Sequence, residues 1–305
     1  MDAIQKQLFE QIADLHAVPQ GAYNFRINGQ STDRNTTENI NIVTKSDKPG
    51  IDIIIKAGTK NESVHIPVVI SQTGLQECVY NDFFIGEGAD VTIVAGCGIH
   101  NPGDKMSEHD GIHTFHVGKN AHVRYVEKHY GTGEGTGERI LNPETVIYLD
   151  EGSTLEMDTV QIEGVDSTVR TTRGTVGDRA TLVIREKIMT HDQQYAKTDF
   201  SVEMNGEDSS VDLVSRSVAK GNSRQEFFSN IDGNNRCKGH SECDAILMES
   251  GSVAAAPKLT ANHLDASLIH EAAIGKIAGD QIIKLMTLGL DEEEAEKQIV
   301  NGFLK

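Results

Sequence analysis

The sequence predicts a mainly β protein, a stacked solenoid flanked by helices, and three features carry that expectation. A turn, a small residue and an alternating strand recur five times at near-constant spacing; the hydrophobic period is 2 from about Tyr23 to Pro257; and it changes to 3.6 on either side. The expected divisions are a helical segment over residues 1–22, a β core over 23–257 and a helical segment over 258–305. A β-sandwich would also produce such turns, but the regular interval favours a solenoid whose rungs bury one another's faces.

In chain order, Ile4, Leu8, Ile12 and Leu15 stand at helical spacing among polar residues until Pro19 and Gly21 stop the pattern, which predicts an amphipathic N-terminal helix. Ile40-Asn-Ile42-Val43, Ile51-Asp-Ile53-Ile-Ile55, Val64-His-Ile66 and Val91-Thr-Ile93 then alternate or run as short apolar strands. The repeat begins with Gly86-Glu-Gly-Ala89-Asp-Val-Thr-Ile93 and returns at Gly118–Tyr125, Asp150–Met157, Gly177–Ile184 and Gly206–Leu213. Its small residues, Ala89, Ala121, Ser153, Ala180 and Ser209, are 32, 32, 27 and 29 apart. Past Pro257, Ile277, Ile282, Ile283, Leu285, Met286 and Leu288 predict a helix closing at Gly289. A second helix comes next, with Asp291 as cap, Glu294 as its capping-box partner, Leu290 and Ala295 as a staple-like pair and Gly302 as a stop. The acidic run Asp291–Glu294 therefore reads as compensation of the helix dipole, not as a metal site.

Composition narrows the function. The 28 Lys and Arg residues against 46 Asp and Glu leave a net charge of −18, which repels phosphate backbones and argues against nucleic acid as a partner. No apolar run approaches the length of a membrane span, and the N-terminus lacks a signal peptide's basic start and apolar centre, so a cytoplasmic chain is expected. Four cysteines in 305 residues are too few for a disulfide framework and are left for metal or sulfur chemistry. With no Trp and 5% aromatic residues, small aliphatic side chains must fill the interior.

Several residues could carry chemistry. His270 and Glu271 set an imidazole beside a carboxylate, although Ile274 occupies the position where a zinc metalloprotease needs its second His. Cys237, His240 and Cys243 are three soft or borderline ligands spaced three apart; they suit zinc or iron-sulfur chemistry, or are inert buried groups. Six of the 12 histidines lie between residues 100 and 129, but His113 and His116 would point to opposite faces of a strand and could not share one ion. Cys97 lies between Gly96 and Gly98, which are expected to leave its sulfur accessible. A phosphate-binding loop, a Gly-x-Ser-x-Gly elbow and a dinucleotide fingerprint are all absent, so the chain is not expected to hydrolyse ATP itself.

The stretch Gly239-His-Ser-Glu-Cys-Asp-Ala245, followed by Leu268-Ile-His-Glu-Ala-Ala-Ile-Gly-Lys-Ile277, Asp280-Gln281, Leu288-Gly-Leu290 and Ile299-Val-Asn-Gly-Phe303, resembles the SufB/SufD family of iron-sulfur cluster assembly scaffolds. Ser215-Arg-Ser-Val218 and Gln225-Glu-Phe227 continue the likeness upstream. The resemblance implies a right-handed parallel β-helix core, partnership with a SufC-type ATPase, and transient holding of a cluster, of the 4Fe-4S type. It carries the family's essential cysteine onto Cys243, its His-Glu pair onto His270 and Glu271, and its sulfur-accepting cysteine onto Cys97, with Cys237 and His240 as further candidates. The chain looks like the compact version of the scaffold. A homodimer would then replace the family's heterodimer, and a sulfur donor and apo-acceptor proteins would be the other partners. A β-helical or cupin-like metalloenzyme, or a SufD-like subunit that holds no cluster, are the competing readings.

Overall fold

The computed structural model describes residues 1–305, with 58% of them in strands and a solenoid of about eight turns. Helix α1 (Ala3–Ala13) leads into β1 (Ala22–Ile27), β2 (Gln30–Asn35), β3 (Ile40–Thr44), β4 (Gly50–Ile55), β5 (Lys60–Ile70), β6 (Gln76–Ile85), β7 (Asp90–His100), β8 (Ser107–Val117), β9 (His122–Thr132) and β10 (Arg139–Leu141). The chain continues through β11 (Glu144–Leu149), β12 (Thr154–Glu163), β13 (Ser167–Val176), β14 (Thr181–Thr190), β15 (Tyr195–Met204), β16 (Ser209–Ala219), β17 (Arg224–Gly233), β18 (Cys237–Leu247), β19 (Ser252–Ala261) and β20 (Ala266–Gly275). Two helices close the chain, α2 (Gly279–Met286) and α3 (Glu292–Phe303). The strands alternate between two ten-stranded sheets. One runs β2-β1-β5-β7-β9-β12-β14-β16-β18-β20; the other runs β19-β17-β15-β13-β10-β8-β6-β4-β3, with β11 also lying between β13 and β8. Pairing is parallel except in the β1–β2 and β3–β4 hairpins at the N-terminal end.

The strand period of 2 sends alternate side chains into the lumen between the sheets, where one apolar cluster of 36 buried residues forms the core. The repeat is the corner of each turn. Ala89, Ala121, Ser153, Ala180 and Ser209 are all buried there, and register continues their column through Cys237 to Ala266. The residue before each small one is left-handed in Gly88, Asn120, Gly152 and Arg179, with φ between 53° and 67°, as is Asp208 at 58°, which explains the Gly, Asn and Asp in that position.

Three boundaries differ from those read in sequence. The β region does not end at Pro257: β19 contains Pro257 and pairs only with β17, so a residue without an N–H is tolerated on an edge strand, and the solenoid continues to Gly275. The C-terminal helices thus begin at Gly279, which leaves Ile277 outside them. Helix α1 stops at Ala13 because Asp14 takes a left-handed cap, with φ 52°, so Leu15 lies beyond it.

Leu8, Phe9, Ile12 and Ala13 of α1 pack on the outer face of the first sheet against Tyr23, Phe25 and Val69. The glycines flanking Cys97 serve this contact. A Cβ on Gly96 would lie 2.7 Å from the Ile12 carbonyl oxygen, and one on Gly98 would lie 3.1 Å from Leu8 Cδ2. Helix α3 is capped as its sequence predicts. Asp291 accepts from the Glu294 amide at 2.8 Å, and Glu294 Oε2 accepts from the Asp291 amide at 3.0 Å. Its Val300 and Leu304 pack on Val218. No helix is long and apolar enough to cross a membrane.

Candidate functional site

Strand parity separates the predicted ligands into two groups. On β18, Cys237, Ser241 and Cys243 face the lumen, whereas His240 and Glu242 face outward. Three residues apart on a strand means opposite faces, so Cys237, His240 and Cys243 do not converge on one ion. Parity divides His270 and Glu271 in the same way. His270 pairs in register with the buried Ser241 and leaves its Nδ1 buried without a partner, while Glu271 lies opposite Glu242 on the outer face. Within one chain Cys243 and Glu271 therefore stand on opposite sides of the same sheet.

Cys243 is 1% exposed. Its thiol pKa is pushed up to about 12 by burial, reinforced by the charges of Glu186 and Asp244. It belongs to an inward column that climbs the sheet one residue per turn: Ala95, Glu127, Thr159, Glu186, Ser215, Cys243 and then Ala272. Cys97 belongs to the neighbouring column, in register with His129 and then Gln161. It is buried and faces the lumen, so the expected exposure between two glycines is not realised. Burial and then the charges of Glu77 and Glu127 raise its thiol well above the ordinary range.

Between the two cysteines the lumen is polar and connected. A cavity of ≈ 20 Å³ is bordered by Cys97, His109, His113, Glu127 and His129, enough for one water-sized group. Tyr125 donates to Glu127 Oε1 at 2.8 Å and lies 2.8 Å from His113 Nδ1, whose Nε2 is 3.2 Å from Asn81 Nδ2. With Tyr125 donating onward, His113 Nδ1 carries a hydrogen and Nε2 accepts, the neutral form; burial lowers its pKa to about 4 accordingly. Arg170 Nη1 donates to Glu127 Oε2 at 2.7 Å, and its Nε lies 3.3 Å from Glu186 Oε1. Thr198 and Ser215 also donate to Glu186, at 2.9 and 2.8 Å. Burial favours the neutral form of both carboxyls. The charges of His129 and Arg170 outweigh it at Glu127, which is held well below the usual range, whereas burial prevails at Glu186, which is raised.

On the outer face, His240 Nδ1 lies 2.8 Å from Asp212 Oδ1 and its Nε2 3.8 Å from Glu271 Oε2. The hydrogen bond to Asp212 raises the His240 pKa. One ligand atom from each of His240, Glu242 and Glu271 fits in a group whose members lie within 4.8 Å of one another.

Sequence reasoning missed Glu127, Arg170, Glu186, Tyr125 and the convergence of His109, His113 and His129. A signal exists: in β9 and β14 the apolar positions alternate as Val123, Tyr125 and as Leu182, Ile184, Ile188, and Glu127 and Glu186 sit on that same parity. The expectation that His113 and His116 diverge holds, since His113 enters the lumen and His116 stacks outside between Phe84 and Tyr148.

Fold and site together define a β-solenoid whose thiol, imidazole and carboxylate groups line the lumen from β7 to β18 and stand on the outer face of β18 and β20, the mixture of soft and hard donors that iron and sulfur chemistry employs. Residues 73–303 match the family described as SUF system FeS cluster assembly, SufBD core domain. The chain belongs to the SufBD family. It is 32% identical over 228 residues to an iron-sulfur cluster assembly SufBD family protein of Archaeoglobus fulgidus, covering 74% of this chain and 60% of that one. A Methanocaldococcus jannaschii protein of the same description is 26% identical over 255 residues, covering 83% of this chain and 79% of its own length. A third, from Methanothermobacter thermautotrophicus, is 27% identical over 241 residues, 77% of this chain and 57% of the relative. The chain thus spans only about three-fifths of two of these relatives.

Proposed function

We propose that this protein is a cytoplasmic scaffold on which iron-sulfur clusters are assembled and from which they are passed on, working with a SufC-type ABC ATPase. The observation that carries the reading is the polar column through an otherwise apolar lumen, which joins the region of Cys97 to Cys243 on the last full turn. Cys97 and Cys243 are five strand steps apart, roughly 24 Å at about 4.8 Å per step, too far for direct exchange. Sulfur leaving a Cys97 persulfide over that distance would travel as hydrosulfide, released when an external thiol reductant supplies two electrons and the Cys97 thiol is restored, and Glu127, Thr159, Glu186 and Ser215 line that path with one polar side chain per turn. Cys97 serves in this reading as a relay position inside the solenoid, not as a surface port.

Assembly takes place at the open C-terminal end. β19 and β20 each have one unpaired edge, Ala255, Leu259, Ala266 and Leu268 are only partly buried, and Leu264 is fully exposed. Unpaired edges of this kind invite pairing, and a second copy of the chain is the proposed cover. Two copies then bring two sets of Cys243, His270 and Glu271 to one seam, with the thiolate as firm ligand and the carboxylate as labile one. Anaerobic purification tests the reading. Iron with equimolar acid-labile sulfide supports it; zinc, or iron without sulfide, would replace it with a metalloenzyme. Ala substitution of Glu271 should alter the cluster spectrum more than that of His270, and normal assembly and transfer by both variants would reduce the pair to a structural join.

The two C-terminal helices, α2 and α3, are the proposed ATPase dock. None of the α2 residues is buried, and Ile283, Met286 and, just past its end, Leu288 are exposed apolar groups. α3 fixes α2 to the solenoid through Val300 and Leu304, with Phe303 partly buried at the rim. Truncation after Gly289 should abolish co-purification of the ATPase while the solenoid stays folded by far-UV circular dichroism. Unchanged ATPase yield would remove α3 from the interface, and global unfolding would make it part of the core.

A further inference from the structure

We propose that His240, Glu242 and Glu271 form a divalent-cation site on the outer face of the β18–β20 pair, and that its ligand is ferrous iron bound before any sulfide. Three observations lead there. First, the positions are preset by the sheet: His240 and Glu242 are two apart on one strand and Glu271 is the register partner of Glu242, so all three side chains leave the same face of adjacent strands. Second, the carboxylate oxygen of Asp212 can only accept, so His240 Nδ1 carries the hydrogen of their 2.8 Å bond and Nε2, 3.8 Å from Glu271, is the nitrogen left for a metal ion. A carboxylate behind the distal nitrogen is the usual support of a metal-ligating imidazole. Third, Glu242 and Glu271 oppose each other as like charges, an unfavourable cross-strand pair that a cation between them relieves. The nearest cationic group besides His240 is Arg216, 3.8 Å from Glu242, and no Lys or Arg pairs with Glu271.

One nitrogen and two carboxylates suit Fe²⁺, Mn²⁺, Co²⁺ or Zn²⁺, with positions left for water. Both thiols of β18 face the lumen, so the set contains no sulfur. Iron is singled out because the scaffold reading supplies it as substrate, and on that point the inference rests on that reading. The consequence is a division of the sheet: iron is received on its outer face and sulfur on its inner face, and the two substrates meet only at the open edge of β20.

The test is anaerobic titration of the metal-free protein with Co²⁺ and then Fe²⁺, without sulfide. We expect about one Co²⁺ per chain, with ligand-field bands and no thiolate charge-transfer band, unchanged in Cys243→Ser. Affinity should fall at least tenfold in His240→Gln and in Glu242→Gln, with far-UV circular dichroism and thermal midpoint unchanged. Fe²⁺ should displace Co²⁺ competitively. Absence of stoichiometric binding, a thiolate band lost in Cys243→Ser, or parental affinity in both surface variants would overturn the site. Cluster assembly is read separately from iron and sulfide content. Co²⁺ binding without clusters would sink the scaffold reading alone; clusters without Co²⁺ binding would sink this site alone.

Discussion

Cys243→Ser should reduce iron and acid-labile sulfide in the anaerobically purified protein to background while leaving the solenoid folded. A hydroxyl nearly matches the thiol in shape but is a poor iron ligand. The buried position would ordinarily charge about 1–3 kcal/mol for an unsatisfied hydroxyl, but Ser215 is the register neighbour and Glu186 the next in the same column, so the new group has polar company. Because burial, Glu186 and Asp244 push the Cys243 pKa up to about 12, the thiol is protonated near neutrality and loses its proton only as iron binds. Assembly on the parent protein should therefore accelerate as pH rises. Undiminished iron and sulfide in the variant would remove Cys243 from the site.

What the sequence made legible was local. Periodicity gave the solenoid, the turn residues gave its corners, and the Asp291–Glu294 capping box and the motifs around Cys243 and His270-Glu271 were readable because each is contained within a few residues. Pro257 misled, since a residue that ends a central strand is harmless on an edge, and a strand is an edge only because no further strand comes to lie beside it in space. The Cys97 glycines misled in the same manner. Their missing Cβ atoms admit α1 from the outer face, and nothing near residue 97 in sequence announces a helix that starts at Ala3. The lumen column was hidden because its members come from β9, β12, β14, β16 and β18, and Arg170, which links two of them, arrives from the opposite sheet. Parity alone could have flagged each as a polar residue on an apolar face, but not their alignment. Register, which only the assembled sheets fix, turns five isolated anomalies into one path.

Arg170→Met should be the most destabilising single change in the lumen, by about 3–5 kcal/mol, because it strands Glu127 and Glu186 in the interior without their shared cation. The pH dependence gives the test its sign. In the parent, the folded pKa of Glu127 lies below its unfolded value, so its contribution to stability is present above the unfolded pKa, near 4.3, and is lost as pH falls through the folded one. Removing the guanidinium raises the folded pKa, and the variant then loses stability as pH rises past that same unfolded value. The gap between the urea midpoints of parent and variant should be wide at pH 7 and narrow toward pH 5; a gap that does not change with pH would mean that Arg170 acts by packing. Glu127→Gln combined with Arg170→Met should recover much of the midpoint, since removing both members of a buried pair costs far less than removing one. That double variant also separates architecture from transport. Folded but stripped of the Glu127–Arg170 link, it should reconstitute clusters normally from free sulfide, which reaches the open end directly, and poorly from a persulfide donor that must use the lumen. Equal yields from both sulfur sources would confine the polar column to holding the solenoid together.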